Sequence, residues 1–120
     1  MNIRIYQICP QRDKENVLFY GFDELRTLKA TDSIDPDIYD MVFSGNVDCD
    51  NLEDVFRTFN QEHPDVYKGN SLSVSDIIEV VETTEKVGKG FYFCDNCGFT
   101  EIEAYQNEAD KTVWIKKQSN

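Results

Sequence analysis

A small α+β domain made mostly of antiparallel sheet is the architecture this chain should adopt, and three observations point to it. The 120 residues are 40% hydrophobic, with 8 Phe, 6 Tyr and 1 Trp against 6 Gly and 3 Pro, which is enough for one packed core and unlike a disordered chain. Short β-branched or aromatic runs recur, separated by turn residues. Only the stretch near residues 51–62 carries a clear 3.6-residue apolar period, giving one main helix, with a shorter one near 23–29. A single domain over residues 1–120 is expected, closing in a polar tail from about 117.

Taken in order, Asn2 to Ile8 alternates, with Ile3, Ile5 and Gln7 on one side and Arg4, Tyr6 and Ile8 on the other. Cys9-Pro10 ends that strand, because proline cannot donate to a ladder. Val17–Tyr20 reads as a short second strand. Asp23 and Glu24 then open the shorter helix, where acidic side chains suit the positive end of the helix dipole. After Asp35-Pro36, Ile38–Phe43 reads as a strand closed by Ser44-Gly45-Asn46. The main helix takes Asp50 as N-cap with Glu53 three residues on, presents Leu52, Val55, Phe56 and Phe59 on one stripe, and stops at His63-Pro64. Ser71–Ser75 is turn-like. Ile77–Val81 and Phe91–Cys94 form a hairpin around Gly88-Lys89-Gly90, and Gly98–Glu103 and Thr112–Lys116 supply the last strands.

Charge is unevenly placed. Lys plus Arg number 12 and Asp plus Glu 23, a net charge of −11, which repels nucleic acid and anionic membranes and attracts basic surfaces. Residues 1–31 sum to +1, residues 67–120 to −3, and residues 32–66, with Arg57 alone against ten acids, to 1 − 10 = −9. One reading is a solvated surface. The sharper one is an acidic face built from Asp32, Asp35, Asp37, Asp40, Asp48, Asp50, Glu53 and Asp54, mostly short side chains that hold charge near the backbone. The start has no basic region followed by an apolar core, and no apolar run approaches the roughly 20 residues that span a bilayer, so a cytoplasmic protein with no membrane contact is expected.

Cys94-Asp95-Asn96-Cys97-Gly98 spaces two thiols as in a zinc knuckle. Cys9 and Cys49 would complete a four-cysteine site for a structural Zn2+, with His63 as the other candidate ligand. The competing readings are buried, unligated thiols, and a redox pair, which Asp95 disfavours because a neighbouring negative charge raises the thiol pKa. His63, the only histidine, lies at a helix end before proline, where a polar terminal role is the plainer reading. No GxSxG, P-loop, GxGxxG or HExxH occurs, so no enzyme activity is expected.

Three stretches carry a family resemblance: Ile3–Ile8 with Arg12-Asp13 and Asn16-Val17; Leu52–Phe56 with Phe59-Asn60 and His63-Pro64; and Tyr67–Ile78, which includes Leu72-Ser73-Val74-Ser75-Asp76. Together with Gly90–Asp95 and Gly98-Phe99 they resemble the YodL-like domain family over about residues 3–102. That resemblance implies a protein of phages, plasmids or conjugative elements, among which some small proteins are anti-defence factors, including anti-CRISPR proteins. Cys97 departs from the family pattern, and a site using Cys9 and Cys49 would belong to this branch alone.

Two functions follow. The first is an inhibitor of a bacterial defence nuclease, a type II CRISPR effector in its most specific form, whose positively charged nucleic-acid channel would take the acidic segment and so be closed to target DNA. The second is a zinc-stabilised, non-enzymatic adaptor that takes a protein partner on its sheet edge and aromatics.

Overall fold

The computed structural model describes residues 1–61, 67 and 69–118. In chain order these form β1 (Asn2–Ile8), α1 (Phe22–Lys29), β2 (Ser33–Ile34), β3 (Tyr39–Asn46), α2 (Leu52–Gln61), β4 (Ile77–Val80), β5 (Gly90–Cys94), β6 (Phe99–Gln106) and β7 (Thr112–Lys116), with a 3-10 turn at Pro36–Ile38. The strands make one seven-stranded sheet in the order β2-β7-β6-β5-β4-β1-β3, antiparallel throughout. The expected α+β fold is therefore the observed one, and no helix among the described residues is long and apolar enough to cross a membrane.

The sheet is buried on both faces, and the alternation of β1 shows why. Ile3 and Ile5 point into a core with Phe43, Val47, Leu52, Val55, Phe59, Ile78 and Val80, under α2. Ile8 points the opposite way, into a second core with Phe22, Leu25, Ile34, Tyr39, Ile77, Phe93, Ile102 and Trp114, under α1. A two-sided strand reads as apolar on nearly every residue, as Ile77-Ile78 and Phe91-Tyr92-Phe93 do. A bulge between Ile5 and Tyr6 in the β1–β3 pairing keeps Phe43 on the α2 face and Tyr39 on the α1 face.

Several expectations need correction. Val17–Tyr20 is not a strand: the Asp13 carboxylate accepts the amides of Val17 at 2.9 Å and Leu18 at 3.0 Å, and Phe19 sits at φ 71°, outside any ladder. The cap of α2 is Asn51, one residue later than expected, its Oδ1 accepting the Asp54 amide at 2.8 Å. The 3-10 turn takes Pro36–Ile38, so β3 begins at Tyr39, and the two-residue β2 was not foreseen because its pairing with Trp114 and Ile115 is purely tertiary. The helix stop at His63-Pro64 lies outside the described residues.

Candidate functional site

The four cysteines do not form one site. β3 runs antiparallel to β1, with Asn46 opposite Asn2 and Tyr39 opposite Ile8, so Cys9 follows one end of the pair and Cys49 the other. At about 3.3 Å per strand residue the two lie on the order of 20 Å apart. Cys9 Sγ lies 3.2 Å from Gln11 Oε1, Cys49 Sγ 3.6 Å from Thr58 Oγ1, Cys94 is buried in the α2-side core and Cys97 is exposed. Burial, with the charges of Asp76 and Asp95 adding to it, pushes the Cys94 thiol pKa up. Among the described residues no three His, Cys, Asp or Glu side chains are grouped to hold a metal.

What the Cys-Asp-Asn-Cys turn does is hold α1. Asp95 Oδ1 accepts the Phe22 amide, the first of the helix, at 3.2 Å, and Asn96 Nδ2 donates to Glu24 Oε1 at 2.8 Å. Glu24 in turn accepts the Gly21 amide at 3.0 Å, and that hydrogen bond, with the one from Asn96, lowers its pKa. Thr100 Oγ1 fixes the other Asp95 oxygen at 2.7 Å. A Cβ at Gly21 would meet the side-chain ends of Asn96 and Asp95, so any larger residue there would have to push these two off the helix start.

A second polar group binds the Ser73–Asp76 segment to β1. Asp76, only 2% exposed, accepts from Gln7 Nε2 at 3.0 Å and from the Ser73 amide at 2.9 Å, while Gln7 also exchanges hydrogen bonds of 2.9 Å with both backbone groups of Asn70. Desolvation outweighs these donors and pushes the Asp76 pKa up to about 7. Ser75, 1% exposed and at φ 86°, accepts the Phe19 amide on its hydroxyl at 3.1 Å and the Tyr39 hydroxyl on its carbonyl at 2.7 Å. Two adjacent non-glycine residues in left-handed conformations, Ser75 and the 60%-exposed Phe19, thus lean on each other.

These contacts gather what the chain scatters. Asp13, Ser75, Asp76 and Asp95, from three separate stretches of the family resemblance, all act on the segment from Asp13 to Phe22 or on its support. That segment, α1, β2 and β7 enclose a cleft of about 430 Å3 on the α1 face. The cleft was not foreseen, since no local pattern encodes it; the Arg12-Asp13 and Ser75-Asp76 pairs were the only signal.

The acidic residues fall into two groups. Asp32, Asp35, Asp37 and Asp40 lie at the end of the sheet where β3 starts, and each is paired: Arg26 with Asp32 at 3.2 Å, Lys111 with Asp35 at 2.9 Å and Asp37 at 3.2 Å, Arg12 with Asp40 at 2.5 Å. Asp48, Asp50, Glu53 and Asp54 lie beyond the far end of β3, roughly 20 Å away by strand rise. There Arg57 takes Asp54 at 2.8 Å, Lys86 stands 3.7 Å from Asp50, and Asp48 and Glu53 have no ion pair among the described residues. Lys86 brings its own loop alongside, with Glu82 and Glu85 exposed on it. One acidic face was expected; one neutralised group and one open acidic corner are found.

No curated protein and no solved structure matches the chain. A model of the YodL-like domain matches residues 2–105. With nearly the whole sheet and both helices inside that span, the chain belongs to the YodL-like domain family.

Proposed function

We propose that this YodL-like domain works by binding rather than catalysis, as a mobile-element protein whose acidic corner enters the basic nucleic-acid channel of a host defence nuclease. In its most specific form the partner is a type II CRISPR effector, kept from loading target DNA. The observation that carries this is the corner itself: Asp48, Asp50 and Glu53 are exposed, cations at hand are few, and Asp50 is met only at 3.7 Å. Exposed carboxylates clustered on a rigid helix start attract a positively charged channel from a distance and compete there with phosphates. The paired group around Asp32–Asp40 contributes little to such a field, because each charge already has a counter-charge beside it.

The test is capture of guide-loaded effector by the tagged protein across a salt series. Binding that weakens steadily with salt and is lost on reversing Asp48, Asp50 and Glu53 together to Lys supports the proposal. Binding indifferent to both overturns its electrostatic basis.

A second reading, an adaptor that takes a protein partner along the sheet edge, is favoured by β3. This eight-residue strand is the outermost of the sheet, and Met41 on it is 55% exposed. Under that reading Met41→Lys abolishes capture and the charge reversals do not.

A further inference from the structure

The geometry points to the cleft on the α1 face as a binding site for a small anionic molecule with an apolar body. Its volume, about 430 Å3, lies in the range of ligand pockets and takes roughly 20 non-hydrogen atoms. Its walls divide by chemistry. Val17, Leu25, Ile34, Tyr39, Phe93 and Val113 give an apolar lining drawn from six separate parts of the chain. The charged residues lining it are Arg12, Lys14, Lys29 and Lys111 against Asp13, Glu15 and Asp35, a sum of 4 − 3 = +1 in a chain of net charge −11.

Which of these charges are available follows from their partners. Arg12 is held by Asp40 and by the carbonyls of Asp37 and Tyr39, and Lys111 by Asp35 and Asp37. Both oxygens of Asp13 are taken by the Val17 and Leu18 amides. Lys14 has no ion pair among the described residues, and Lys29 is engaged only with the Tyr20 ring, 5.7 Å from its centre. Two ammonium groups without an ion pair among the described residues therefore line an apolar hollow, with one carboxylate in the same state, Glu15. An anionic head met by Lys14 and Lys29, with its apolar body inside, satisfies both halves of the site.

The site is tested by fluorescence titration of the folded protein with 8-anilinonaphthalene-1-sulfonate, set against its uncharged counterpart N-phenyl-1-naphthylamine. One saturable site is expected for the sulfonate, weakened about tenfold by Lys14→Ala with Lys29→Ala, an exposed and a half-buried position, neither of them in the core. Val17→Trp, which fills the hollow, is expected to remove binding of both dyes, with near-ultraviolet circular dichroism confirming the fold. Equal affinity for the two dyes, or sulfonate binding unchanged by the lysine variants, would overturn the anionic assignment. Absence of saturable binding to the unaltered protein would overturn the site.

Discussion

On the α2 face of the sheet, Val55 and Phe59 are fully buried, and Phe43, Phe59 and Tyr67 meet edge to face with ring centres 4.9 Å apart in each successive pair. On the α1 face an eight-residue helix, tethered at its start by Asp95, leaves a 430 Å3 cleft walled by a loop in which Asn16 and Phe19 adopt left-handed conformations. Both faces carry a buried core, but only the α1 side also holds a loop over a cleft. The difference lies in the cleft: the α2 face is filled throughout, whereas on the α1 face the loop from Asp13 to Gly21 stands over a hollow beside the core.

The comparison breaks most visibly if the α2 face is hollowed. Phe59→Ala is expected to cost about 3–5 kcal/mol in urea unfolding, since a fully buried ring leaves a cavity. Val17→Ala on the cleft is expected to cost under about 1 kcal/mol, because a wall already facing a hollow loses few contacts. Equal losses would mean that the two faces are not distinct.

A smaller effect, on the order of a few kcal/mol, should appear with pH. Asp76 in the folded chain holds its proton up to about pH 7, whereas in the unfolded chain it gives it up near 4. Between those values the folded state binds the extra proton, so its contribution to stability is complete below pH 4 and is lost as pH rises through 7. Asp76→Asn keeps an acceptor for the Ser73 amide and should flatten this slope, read as the difference between the two proteins' urea midpoints from pH 4 to 8. A slope unchanged by the substitution would remove Asp76 as its cause.

Smaller again is the cap. Asp95→Ala is expected to cost about 1 kcal/mol and to raise amide exchange within α1 while leaving α2 protected. Cys97→Ser, at an exposed turn, should leave the unfolding midpoint unmoved. One zinc per chain would have to use a ligand set other than all four cysteines together, since the β1–β3 register puts Cys9 and Cys49 at opposite ends of the strand pair.

Much of the frame was legible because its signals are local. The alternation of Asn2–Ile8, the stripe Leu52-Val55-Phe56-Phe59 and the turn at Gly88-Lys89-Gly90 each constrain the backbone within a few residues. The Val17–Tyr20 segment misled because its apolar side chains suit a strand, and only the reach of Asp13 and of Ser75 from 56 residues away shows otherwise. The Cys94–Cys97 spacing drew attention to the sulfurs, when the residues between them, Asp95 and Asn96, make the contacts. Splitting of the acidic segment was hidden for the same reason: eight strand residues separate two groups that composition sums as one.

Competition of the open acidic corner with DNA, as proposed, is read by fluorescence anisotropy of labelled target duplex on guide-loaded type II effector. The unaltered protein should displace the duplex, and the protein with Asp48, Asp50 and Glu53 reversed to Lys should need at least about tenfold more to do so. Reversal of the already paired Asp32 should change little. Duplex binding untouched by saturating unaltered protein, or equal displacement by the reversed one, would rule out the acidic corner as a competitor of DNA.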